Sequence, residues 1–346
     1  MDAVLITGPG SVEVRQMPTP ELLPGHCLIR VAYVGICGTD AALYRGDSVY
    51  IQQGRTTYPI VFGHEWSGTV IEVGAGVIGF EVGDRVAGHN FITCGTCAMC
   101  RTGRQNLCPN RAEAGVLDGH PGAASQFTLL PAGVISKVPP TISLREAACL
   151  EPGTCVMHGL ARARLREDDR VAVIGTGTLG LIAVQIAVAA GAEVDAIGIE
   201  DAGLELACTL GARRTFRPEE APRSAYTLAI EVSGAPTSYA LLPRLLAPGG
   251  RGVYVGVAHT PVDDFPAAET VLKNLELYCA LGGLQHWERF IKLVSSRPVD
   301  LRPLIHSVVA YRDAAQAFRL LLDAGRQKPK VMIDFAEEGV GRGDLQ

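Results

Sequence analysis

Up to about residue 150, short apolar runs alternate with turn-forming Gly, Pro, Asp and Asn. The runs are CLIRVAYVG (27–35), WSGTVIEVG (66–74), DRVAGH (84–89), SQFTLL (125–130) and VISKVP (134–139). Irregular alternation with closely spaced turn signals predicts strands in a compact, barrel-like β domain. Near residue 153 the texture changes. VAVIG (171–175) is a short β-rich apolar run, followed by a long apolar stretch from Leu179 to Ala192, then EVDAIGIE (193–200) and the helical pattern LELACTLGA (204–212). Strand, helix, strand, helix predicts parallel βαβ units, and strands that are apolar throughout fit a sheet covered on both faces. LAIEVS (228–233), RGVYVGV (251–257) and ELYCAL (276–281) continue the series, separated by helical stretches such as 238–250, whose closing Gly pair reads as a helix stop. The second half is thus expected to be a doubly wound α/β domain. The tail adds a helix, AAQAFRLLLDAG (314–325), and a last strand, VMIDF (331–335).

Composition narrows this picture. A chain of 346 residues suggests two domains and a cleft between them. With 47% hydrophobic and 19% charged residues it can build large cores, and its net charge of −5 gives no broad basic footprint, so neither nucleic acid nor a membrane is an expected partner. The start of the chain has no basic segment followed by a long apolar one, and the stretch 179–192 is too short to cross a bilayer, so the cytoplasm is the expected compartment. There, ten cysteines are better explained as thiolate ligands and core residues than as disulfides.

Three constellations carry candidate chemistry. After VAVI, the run Gly175-Thr-Gly177-Thr178-Leu179-Gly180 opens into the apolar helix. A first glycine permits the tight turn, a second lets backbone N–H groups approach a pyrophosphate, and a third lets helix and strand pack closely. Glu200, at the end of EVDAIGIE, could accept hydrogen bonds from an adenosine ribose and repel a 2′-phosphate, which favours NAD over NADP; another register would put Gly198 at that position. Cys94, Cys97, Cys100 and Cys108 form Cys-x2-Cys-x2-Cys-x7-Cys. Four thiolates can close a tetrahedral shell around a structural Zn2+; an iron–sulfur cluster is the runner-up, although its last spacing would be about three. The third set is Cys37 in VGICGTD, His64 and Glu65 in FGHEWSG, and Glu151 in CLEPGTC. Thiolate, imidazole and carboxylate are all zinc ligands, a catalytic zinc uses three plus a water or substrate, and Glu151 between apolar neighbours and Pro152 would be costly unless it faced a cation.

Taken in order, CGTD (37–40), GHE (63–65), GDRV (83–86), the four-cysteine loop, EP (151–152) and GTGTLG (175–180) resemble the zinc-containing medium-chain dehydrogenase/reductase family, in its polyol and threonine dehydrogenase branch, over nearly the whole length. The resemblance implies a GroES-like β-barrel catalytic domain over 1–153, a Rossmann domain over 154–286, and a segment from 287 to 346 that returns to the first. It implies two Zn2+ per chain and a nicotinamide cofactor. Cys37, His64, Glu65 and Glu151 would serve the catalytic zinc, the glutamates binding directly or exchanging with water, while Thr39 would accept the substrate hydroxyl proton. Val232, Ser233, Val255, Gly256, Val257, Leu281 and Gly282 would line the nicotinamide half. Many relatives carry a relay histidine after CG(T/S)D; here Ala41, Ala42, Leu43 and Tyr44 follow, so the proton leaves by another route.

The implied reaction exchanges hydride between a secondary alcohol and the cofactor, and the enzyme is expected to be a homodimer or homotetramer. The leading substrate class is a polyol, sugar or cyclitol. The alternatives are 2-deoxy-scyllo-inosamine, as in aminoglycoside biosynthesis, and L-threonine. From a different class, a nucleotide-binding protein that has lost catalysis is opposed by the intact Cys37, His64 and Glu151.

Overall fold

A computed structural model describes residues 1–323 and 329–336. The chain divides into two units. The first is built on a seven-stranded sheet whose main path runs through 135–137, 85–88, Glu65–Val73, His26–Gly35, Lys330–Asp334 and Ile305–Ala310, with Phe127–Pro131 also paired to His26–Gly35. Apolar side chains from these strands, among them Ile29, Trp66 and Ile333, are buried together with Phe62 in one core. Helix Ala314–Leu322 closes it, with Phe318 stacked on Tyr44 and edge-on to Phe62. The last strand pairs antiparallel with His26–Gly35, Met332 opposite Gly35. An N-terminal hairpin, Asp2–Gly8 with Ser11–Gln16, pairs with Ile60–Val61 in a second, three-stranded sheet.

The second unit holds a six-stranded parallel sheet. Its order in space is Arg214–Phe216, Glu193–Ile197, Arg170–Ile174, Tyr226–Glu231, Leu246–Tyr254 and Glu276–Cys279, which is 3-2-1-4-5-6 in chain order. Order reverses beside Arg170–Ile174, and the crevice at the carboxyl ends of the strands there is where such sheets take ligands. The apolar stretch after it forms helix Thr178–Ala189, buried along most of its length.

Two expectations are corrected. The return to the first unit falls at residue 305, not 287. Helix Trp287–Ser295 stays with the second unit because Phe290 packs where a Cβ on Gly153 would have to go, and the Gln185 side chain bonds the backbone of Asp300 in both directions, at 3.1 and 2.6 Å. Parts of the expected C-terminal segment, 324–328 and 337–346, lie outside the described residues. The pair Gly249-Gly250 does not stop a helix: the helix ends at Leu245, and both glycines belong to strand Leu246–Tyr254.

Candidate metal centres and dinucleotide site

The four cysteines come together at the surface of the first unit. Cys97 caps the short helix Ala98–Arg101, its Sγ accepting the Cys100 N–H, so a single turn turns both sulfurs inward. The Sγ atoms stand 4.0 Å (Cys94–Cys100), 3.9 Å (Cys97–Cys108) and 3.6 Å (Cys94–Cys108) apart. Those separations exceed the ~2.05 Å of a disulfide. They match the edge of about 3.8 Å expected when four sulfurs surround one metal at ~2.3 Å. Backbone N–H groups of Thr96 and Cys97 aimed at Cys94 pull its pKa down to about 6, which favours its thiolate, whereas burial pushes Cys100 up to about 11. The donor set fits Zn2+ with no position left over.

The second cluster draws on distant elements. Cys37 sits at the mouth of helix Gly38–Arg45, just past strand His26–Gly35; His64 and Glu65 stand where the next long strand begins. Their donor atoms all lie within 4.8 Å of one another. Asp40, fully buried, organises the pair: one carboxylate oxygen accepts the Cys37 N–H at 2.8 Å and the other lies 3.5 Å from His64 Nδ1. Burial pushes the imidazole pKa down, but Asp40 and Cys37 together carry it well above its usual value. A carboxylate behind a ligating histidine fixes its orientation and raises its basicity, so the chemistry of this donor set also fits a metal. His64 Nδ1 and Asp40 Oδ1 are buried without a hydrogen bond of their own.

Glu65 is shared. Its carboxylate forms a buried ion pair with Lys330 of the last strand, whose Nζ also donates to the Ile36 carbonyl at 3.1 Å. Thr39 is half-buried in the first turn of the helix that Cys37 opens. Glu151, buried in the first turn of helix Leu150–Arg162, lies outside the three-residue cluster. Asp40 stood inside the CGTD motif without a role, and Lys330 gave no signal at all, because it meets Glu65 across 265 residues.

In the second unit the glycine turn has the three properties that a pyrophosphate cradle requires. Gly175 has φ 109°, a conformation that side chains resist. A Cβ on Gly177, the N-cap of the 12-residue helix, would stand in open space, and one on Gly180 would run into the Gly175 carbonyl. Free N–H groups at a helix start then face the opening. Glu200 immediately precedes helix Asp201–Thr209 and does not cap it with its side chain. Val232 and Ser233 follow strand Tyr226–Glu231, and Val255 to Val257 follow the next strand, at the same end of the sheet. Leu281 and Gly282 follow Glu276–Cys279.

A further residue holds these loops. Glu231 is fully buried and accepts from Ser233 N–H (2.7 Å), Ser233 Oγ (2.5 Å) and Gly234 N–H (3.0 Å), while burial pushes its pKa up to about 7. Ser233 in turn abuts Gly175. The sequence offered only an acid at a strand end.

A three-donor cluster, a four-cysteine cluster and a glycine-rich strand-to-helix turn on a 3-2-1-4-5-6 sheet together fit the class of metal-dependent, nucleotide-linked dehydrogenases. Family profiles agree: the alcohol dehydrogenase GroES-like domain matches residues 23–140 and the zinc-binding dehydrogenase domain matches 178–296. L-threonine 3-dehydrogenase of Burkholderia mallei (strain SAVP1) is 32% identical, covering 97% of this chain and 98% of that protein. Two solved structures are similar over 96% of the chain. One is a Sinorhizobium meliloti 1021 protein described as a zinc-binding dehydrogenase and bound to NADP (TM-score 0.87, 28% identity, 98% of that chain). The other is galactitol-1-phosphate dehydrogenase of Escherichia coli (TM-score 0.85, 26% identity, 100% of that chain). The chain belongs to the zinc-containing medium-chain dehydrogenase/reductase family, with a GroES-like domain and a Rossmann domain. Among the described residues no helix is long and apolar enough to cross a membrane.

Proposed function

We propose that this chain is an NAD-dependent zinc dehydrogenase that interconverts a secondary alcohol and a ketone on a polyol, sugar or cyclitol. The observation that carries the reading is the convergence of Cys37, His64 and Glu65, with Asp40 behind them, in a chain that also builds the glycine turn. Bound there, Zn2+ would act as a Lewis acid toward the substrate oxygen. Cys37 and His64 would hold it, Asp40 would fix the ring of His64, and Lys330 would hold the Glu65 carboxylate in place beside the centre. Glu151 is the fourth donor in this reading, reached directly or through water. Thr39, in the first turn of the helix that Cys37 caps, takes the hydroxyl proton and passes it on without a relay histidine. The four-cysteine loop takes a second, structural zinc.

Glu200 supports NAD: its carboxylate would accept from the ribose hydroxyls and oppose a 2′-phosphate. The loops at Val232–Ser233, Val255–Val257 and Leu281–Gly282 form the nicotinamide end of the site. All ten cysteines are unpaired in disulfides, which agrees with a reducing cytoplasm. Assembly as a homodimer or homotetramer is part of the same reading.

The test is NADH formation at 340 nm with a panel of polyols, aminocyclitols and L-threonine. A polyol, sugar or cyclitol should give the highest kcat/KM. Threonine as the best substrate would move the reading to that branch, and no turnover of any member by the zinc-loaded protein would overturn it.

A further inference from the structure

Glu231 ties three turns of the second unit together. Its backbone carbonyl accepts the Val255 and Gly256 N–H groups at 2.9 and 3.2 Å, and its carboxylate Oε1 takes three donors from residues 233 and 234. Ser233 abuts Gly175, so the same acid reaches the glycine turn through one residue. The second carboxylate oxygen is placed differently. Oε2 is buried with no hydrogen-bond partner, and a Cβ on Gly256 would stand 2.8 Å from it. The titratable side chains that face the carboxylate are Tyr239 of helix Pro236–Leu245 and Tyr254 of the neighbouring strand, stacked with ring centroids 4.6 Å apart; Cys279 of the next strand lies beside both. Burial first, and then the charge of Glu231, raise both tyrosine pKa values, and no cation among the described residues pairs with the acid. Holding a turn needs only an acceptor, which a neutral amide would supply. A carboxylate with one dry oxygen and no counter-charge instead changes its protonation when a positive charge comes near.

We propose that Glu231 is a positioning residue that also senses the charge of the nicotinamide: Oε2 keeps its proton beside a reduced, uncharged ring and releases it to solvent beside an oxidised, cationic one. This inference rests on the dinucleotide reading of the site, in which the turns that Glu231 ties together form the nicotinamide end. Burial has already pushed the carboxyl up to about 7, so a modest field decides its state near neutral pH. The sign follows from linkage. A nearby cation favours the ionised form, so NAD+ lowers the pKa of Glu231 and binds more tightly as pH rises through 7, whereas NADH has no such gain.

The experiment is fluorescence titration of the full-length, zinc-loaded protein with NADH, and with NAD+ in competition, from about pH 5.5 to about pH 8.5. In the wild type the ratio of the two affinities should move about tenfold toward NAD+ across pH 7, the equivalent of one pKa unit. Glu231→Gln, which keeps an acceptor and removes the charge, should lose that rise. Ser233→Ala removes a donor that holds the carboxyl down, so it should carry the midpoint of the rise to higher pH, and it decides the matter if Glu231→Gln does not fold. A structural role alone would weaken both nucleotides equally at every pH. A flat ratio in the wild type, the same rise in Glu231→Gln, or an unmoved midpoint in Ser233→Ala overturns the coupling while leaving the dinucleotide site standing. Failure of the folded wild type to bind either nucleotide overturns the dinucleotide reading and the coupling with it.

Discussion

The two candidate zinc centres lie in the same unit and differ in how they are built. The cysteine centre takes four like donors from one 15-residue stretch, 94–108, and its geometry is set by a single helical turn. The Cys37 centre takes a sulfur, an imidazole and a carboxylate from elements far apart in the chain, then surrounds them with the buried acid Asp40 and the buried base Lys330. A closed shell of thiolates can only hold structure. A mixed, three-donor shell whose carboxylate is contested by a lysine leaves room for a substrate oxygen. Electrostatics follow the same division. Backbone N–H groups lower the pKa of Cys94, whereas charged neighbours outweigh burial at both His64 and Lys330 and raise theirs.

The contrast breaks most visibly at its two cysteines. Cys37→Ser should lower kcat/KM by about a thousandfold or more, the loss of a Lewis acid worth several kcal/mol, with the thermal midpoint nearly unchanged. Cys94→Ser should do the reverse in kind, lowering stability by roughly 3 kcal/mol in a urea titration because part of the binding free energy of a structural metal is folding free energy. If the two variants lost activity and stability alike, the division between centres would be wrong.

Lys330→Met probes the lysine that only the open centre has. It leaves Glu65 buried without its partner, and a cost of about 3 kcal/mol is expected in metal-free protein, measurable by denaturant titration. Zinc should restore part of it, since the ion would take over as the counter-charge. Asp40→Asn should have the smallest effect of the series, weakening zinc at the Cys37 centre by about 10- to 100-fold in a chelator competition and leaving the cysteine centre untouched. Equal weakening at both would contradict a supporting role confined to His64.

The same difference explains what could be read along the chain. The cysteine loop was legible because ligand spacing within one turn is local information. Cys37, His64 and Glu65 were legible as motif residues, but their company was not: Asp40 became a partner of His64 only once the helix after Cys37 was formed, and Lys330 met Glu65 only through the pairing of the last strand with His26–Gly35. Glu231 reads as an ordinary strand-end acid until its three donors fold back over it. Strand positions in both units followed the apolar runs closely. The errors came where tertiary packing overrode local signals: the Gly249-Gly250 pair absorbed into a strand, and helix Trp287–Ser295 held in the second unit by Phe290 and Gln185.

Two centres of different kind in one chain require two zinc ions, which elemental analysis of the purified wild-type protein alongside Cys37→Ser measures. Two zinc ions per chain are expected in the wild type and one in the variant; one or none in the wild type, or two retained by Cys37→Ser, would contradict the division between a catalytic and a structural centre.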